Sequence, residues 1–124
     1  MNLEAGPALR LHSVMLGIAD MDRSIAFYTE KLGMTVRARF GDFALLETGG
    51  LALTLSTQLV RARPAACPIP VEIVLAVDGV RHAYDGLRSR GVTFLNEPHT
   101  IDGTNDGVHF EDPDGHLFSL FGRP

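Results

Sequence analysis

Five histidines, one cysteine and scattered carboxylates are the side chains of this 124-residue chain suited to metal or acid–base chemistry. The histidines, at His12, His82, His99, His109 and His116, are spaced too widely for a local ligand pair of the H-E-x-x-H kind. Cys67 stands alone, so no intrachain disulfide or cysteine-rich zinc site can form. Beside Pro68 it reads as structural, because no neighbouring base activates its thiol. No hydroxyl is paired by spacing with a histidine and an acid, which argues against a Ser-His-Asp nucleophile. Any site must therefore be assembled by the fold.

The elements that would assemble it come from an internal repeat. Val14, Leu16 and Ile18 are followed by Asp20, a helical stretch and Gly33-Met34-Thr35-Val36. Ile73, Leu75 and Val77 are followed by Asp78, a second helical stretch and Gly91-Val92-Thr93-Phe94. The strand positions are offset by 59 (14 to 73) and the glycines by 58 (33 to 91). Gly50 to Leu55 matches Gly115 to Leu120 at an offset of 65.

Each copy opens on an alternating strand, with Val14, Leu16 and Ile18 on one face and Ser13, Met15 and Gly17 on the other. Asp20 or Asp22 is expected to cap the first helix and Asp78 the second; Gly33 and Gly91 are expected to stop them. Three shorter strands complete each unit, expected near 34–40, 43–48 and 51–56, then near 92–95, 107–111 and 116–121. Gly41-Asp42, Gly49-Gly50 and Asp112-Pro113-Asp114-Gly115 supply the turns. The fold class is thus α+β, two βαβββ modules forming a cupped mixed sheet in one domain. Module 1 spans about 8–60 and module 2 about 71–124. Residues 61–70, with Pro64, Pro68 and Pro70, read as a linker, and Asn96 to Asp106 as a polar loop suited to a rim or lid.

Composition excludes several classes. Apolar residues make up 45% and charged residues 21%, as in an ordinary globular protein. The net charge is −4 and the charges are scattered, with no basic stripe for nucleic acid. No run approaches the roughly 18 apolar residues of a membrane span. Met1 to Leu11 lacks a basic start followed by an apolar run, so no secretory signal is read and a cytoplasmic protein is expected.

Asp20-Met21-Asp22-Arg23-Ser24-Ile25-Ala26-Phe27-Tyr28 with Leu32-Gly33-Met34, and later Glu111-Asp112-Pro113-Asp114-Gly115, resemble the two signatures of the vicinal oxygen chelate superfamily, the glyoxalase, bleomycin-resistance and extradiol dioxygenase group. The resemblance runs from about Leu11 to Phe121. It implies an open, incomplete barrel with a ligand on its concave face, and homodimers whose modules pair across subunits. Metal-dependent members hold a divalent ion with side chains, usually His, Glu or Gln, from the first and last strands of each module.

Carried onto this chain, the resemblance and the repeat place Ser13, Thr54, Glu72 and Ser119 at those positions. Three hydroxyls and one carboxylate make a poor donor set for zinc, nickel, iron or manganese, so no metal and no other cofactor are expected. A divalent metal enters only if His12 or another histidine is recruited. His12 is one residue out of register, which puts it on the opposite face unless a bulge returns it. His109 faces either the cavity or the structure behind it. His116 is expected on the helix side, His82 in solvent, and His99 in the rim loop, exposed or against a ligand.

Glu72 is the candidate catalytic or anchoring group. A carboxylate desolvated in the cup among Met15, Val74, Leu117 and Phe121 is expected to accept a proton or hold a cationic ligand. The expected ligand-binding set is Ser13, Met15, Thr54, Glu72, His109 and Ser119. Phe40, Phe43, Phe94, Phe110, Phe118 and Phe121 read as core. The leading expectation is a metal-independent binder of a small organic molecule. The alternatives are an enzyme of the superfamily (a lyase, isomerase or dioxygenase using recruited histidines, or a metal-free one with Glu72 as base) and an accessory domain without a ligand.

Overall fold

Eight strands and three α-helices follow the order the repeat implies, in a computed structural model that describes residues 12–62 and 71–124. Cys67, Pro64, Pro68 and Pro70 lie outside the described residues. Module 1 consists of β1 (Ser13–Gly17), α1 (Met21–Ala26), β2 (Thr35–Phe40), β3 (Phe43–Glu47) and β4 (Ala52–Ser56). A short helix, α2 (Thr57–Ala62), follows. Module 2 consists of β5 (Glu72–Ala76), α3 (Val80–Ser89), β6 (His99–Thr100), β7 (Asp106–Glu111) and β8 (Leu117–Gly122).

The sheets have the orders β1-β4-β3-β2 and β5-β8-β7-β6. In each, the first strand pairs in parallel with the last and the other pairings are antiparallel. Met15 lies opposite Thr54, and Val74 opposite Ser119. These are the pairs that the offsets of 59 and 65 make equivalent, so the repeat extends to register.

One face of each sheet builds a common core. Ile18, Tyr28, Leu46, Leu55, Phe110 and Phe118 are fully buried within it. The ring of Tyr28 in module 1 lies 5.9 Å from that of Phe118 in module 2. Burying such aromatic surface is the main stabilising term, and it joins the two modules.

Asp20 caps α1 as expected, its side chain accepting from the Arg23 N–H at 3.0 Å. The helix then widens into a π-helical turn over Phe27–Lys31, and the chain leaves it through Gly33 at φ 77. That left-handed φ is one glycine adopts without Cβ strain.

Four expectations are overturned. Asp78 does not cap α3; Gly79 occupies the cap position and makes no side-chain bond. No strand forms over 92–95, where only Phe94 makes a single bridge to Phe110. Phe94 instead turns its ring onto Tyr84, 4.6 Å away, and the two-residue β6 forms further on, inside the segment read as a polar loop. The linker is helical at its start, because Ser56 Oγ accepts the N–H groups of Gln58 and Leu59 and so caps α2. Phe40 is 57% exposed rather than core.

Candidate functional site

On the face opposite the core, period-two alternation sets out the residues that the sequence singles out. Met15 and Val74, at matching positions of β1 and β5, are 43% and 55% exposed. Their neighbours Leu16, Ile73 and Leu75 turn to the core. Ser13 is half-buried, while Thr54 and Ser119, on the inner strands β4 and β8, are buried. β1 and β5 are both edge strands.

Module 2 draws its polar groups into one network. Ser119 Oγ donates to Glu72 Oε2 at 2.7 Å. His109 Nε2 lies 3.3 Å from Glu72 Oε1. These residues come from β8, β5 and β7, brought together because β8 runs between the other two. Asn96 completes the network. Its Oδ1 accepts the His109 backbone N–H at 2.9 Å, and its Nδ2 lies 3.1 Å from His109 Nδ1. His99 lies over His109, with ring centroids 6.2 Å apart. Asn96 was missed in the sequence because a rim asparagine carries no signal of its own. Ser13, Met15 and Thr54 share the corresponding face of module 1.

Two of the remaining histidines stay apart from this network. His12 is exposed ahead of β1, whose register with β4 is unbroken from Ser13 to Gly17, so no bulge returns it to the concave face. His82 is exposed on α3. His116 belongs to a second polar cluster, on the core side. Its Nδ1 lies 2.6 Å from Asp112 Oδ2, and the Tyr28 hydroxyl donates to the same oxygen at 2.6 Å. Burial, together with the adjacent Asp112 charge and that hydrogen bond, pushes the Tyr28 phenol far above its ordinary value. Burial alone would raise the Asp112 carboxyl, but the hydrogen bonds from His116 and Tyr28 outweigh it and hold the group below the usual range. Asp114 extends the clasp by accepting from the Ala19 N–H at 3.0 Å and the Ser24 hydroxyl at 3.2 Å. This hairpin fastens module 2 to α1 and leaves nothing for chemistry on the concave face.

The four positions to which the resemblance assigns metal ligands offer a poor donor set for a divalent ion. Of Ser13, Thr54, Glu72 and Ser119, only Glu72 is a strong donor. Among the described residues no group of three or more His, Cys, Asp and Glu side chains is arranged to hold a metal ion.

The desolvation expected for Glu72 is not present in one chain, where its side chain is 36% exposed. Nor is the floor enclosed. A cavity of about 770 Å³ lies elsewhere, between the 48–50 turn, the end of the first helix and β5, lined by Val14, Leu53, Ile73 and Leu75. It is also lined by Val74, but by none of Ser13, Thr54, Glu72, His109 or Ser119.

Comparison with known proteins agrees with the fold. The family profile described as Glyoxalase/Bleomycin resistance protein/Dioxygenase superfamily matches residues 10–120. The chain is 29% identical to the glutathione transferase FosA of Serratia marcescens, over 89% of this chain and 78% of that protein. It is 25% identical to a probable lactoylglutathione lyase of Vibrio cholerae, over 90% and 88%. The crystal structure of a glyoxalase/bleomycin resistance protein/dioxygenase from Nocardioides superposes with a TM-score of 0.73 at 29% identity, covering 96% of this chain and 89% of that one.

Proposed function

Because the chain belongs to the Glyoxalase/Bleomycin resistance protein/Dioxygenase superfamily, we propose that it binds a small organic molecule on its concave face, without a divalent metal. The observation that carries this reading is the Ser119–Glu72–His109 network, a carboxylate held in place beside the exposed apolar side chain of Val74. An apolar surface with a few convergent polar groups is the usual make-up of a ligand site. Ser13, Met15 and Thr54 supply the uncharged half of the surface.

A second copy of the chain completes the site. Each sheet ends in an open edge strand, β1 or β5, and exposes Met15 or Val74 beside it, surface that a homodimer would cover. Closure by the partner would also remove Glu72 from water. A chain with a single cysteine suits the reducing cytoplasm, the compartment we assign to it.

A second reading is an enzyme in which Glu72 takes a proton from its substrate. The Glu72–His109 contact supports it, and so do the transferase and lyase among the relatives. Metal analysis of the purified protein tests the leading proposal: a stoichiometric transition metal would overturn it. With metal absent, Glu72→Gln is expected to keep the fold and weaken ligand binding by about ten-fold or more, the loss of a charged hydrogen bond. An unchanged ligand profile would remove Glu72 from the site. Sedimentation of the wild type against Val74→Lys tests the dimer, which the buried lysine is expected to dissociate.

A further inference from the structure

Residue Asn96 stands where regular pairing along β7 lapses. β6 pairs only with Asp106 and Gly107, and the next contact is the single bridge from Phe94 to Phe110. The Leu95 N–H donates to the His109 carbonyl at 2.8 Å, and the His109 N–H is left to the Asn96 side chain. A backbone N–H only donates, so the amide oxygen of Asn96 must face it. The amide nitrogen then faces the imidazole, 3.1 Å from Nδ1, and it too only donates. Nδ1 is therefore the acceptor, and in the neutral ring the hydrogen sits on Nε2, 3.3 Å from Glu72 Oε1. With the Ser119 hydroxyl on the other oxygen, Glu72 is met by donors on both sides.

We propose that Asn96 is a positioning residue that selects the Nε2–H tautomer of His109, so that the floor presents an acceptor-only carboxylate and takes ligands bearing an amine or ammonium on an apolar body. This rests on the concave-face reading above. Val74 offers the apolar contact. No lysine or arginine stands on the concave positions of β5, β7 or β8 to receive an anionic ligand. A ligand carboxylate would meet Glu72 uncompensated, whereas an ammonium finds its free lone pairs.

The tautomer is read from long-range proton–nitrogen spectra of the full chain, with His109 assigned by its absence in His109→Gln. The wild type is expected to show a protonated Nε2 and an unprotonated Nδ1. Asn96→Asp keeps the acceptor for the His109 N–H but replaces the donor with a second acceptor, and is expected to add a hydrogen at Nδ1 while Nε2 keeps its own towards Glu72. A wild-type ring protonated at Nδ1, or an Nδ1 still unprotonated in Asn96→Asp, overturns the role of Asn96.

Ligand class is read by titrating benzylammonium, benzyl alcohol and benzoate while following His109. The ammonium is expected to bind at least ten-fold more tightly than the alcohol, with benzoate weakest. Equal binding of the three overturns the acceptor-only assignment while leaving the concave face as the site. If the tautomer is as assigned and no probe moves His109, the concave-face reading itself fails and the ligand class falls with it.

Discussion

The two modules have the same strand order and the same register, yet their concave faces differ in kind. Module 1 presents Ser13, Met15 and Thr54, which are uncharged. At the equivalent positions module 2 presents Glu72, Val74 and Ser119, and it adds His109 and Asn96. The backbone repeat is thus a requirement of packing, met by the core faces of both sheets. The opposite faces are free to diverge, because a side chain there is not constrained by the common core. The proposed site lies where the duplication has drifted, as expected when a site is grafted onto a fold.

The modules also differ at the ends of their last strands, and that difference can be broken first. Module 2 has Gly122 where the offset of 65 places Thr57 in module 1. A Cβ at Gly122 would overlap the Val77 carbonyl oxygen, whereas Thr57 is tolerated at the start of α2. Gly122→Ala is expected to cost about 3 kcal/mol, and Thr57→Ala under about 1 kcal/mol, in urea unfolding. Equal losses would show that the ends are interchangeable.

The clasp at the second hairpin comes next in size. Asp112→Asn leaves Tyr28 and His116 with a neutral partner and is expected to destabilise by about 2 kcal/mol. The wild-type carboxyl lies below its ordinary value when folded, so its contribution is fully present above the usual carboxylate range. It is lost as pH falls through the lowered native value. The variant is expected to lose that part of its acid sensitivity, as read by unfolding curves from neutral to acid pH.

The smallest effect on stability tests the concave faces directly. Ser13→Glu gives module 1 the carboxylate of module 2 at the matching strand position and is expected to change stability by within about 0.5 kcal/mol. If charge on this face sets ligand choice, the variant should bind the ammonium probe more tightly. No change in binding would confine the anchor to Glu72 and its neighbours.

Most of the fold was legible because its signals are local. Alternating Val14, Leu16 and Ile18 mark a strand, Asp20 caps a helix within three residues, and Gly33 ends it. Where local signals competed, reading failed. Asp78 was available as a cap but Gly79 took the position, and Phe94 in a β-like run was claimed by the ring of Tyr84. Ser119, Glu72 and His109 were named from the sequence as ligand-binding candidates, yet their mutual contacts and the part of Asn96 were not legible.

The order of elements, the duplication and its register were determined by the sequence itself, since each follows from spacing and from backbone preferences acting over a few residues. Tertiary structure alone decided which polar groups meet. Ser119 reaches Glu72 across 47 residues, and Tyr28 reaches Asp112 across 84. Such contacts depend on how strands are ordered and how sheets pack, and no local preference encodes them.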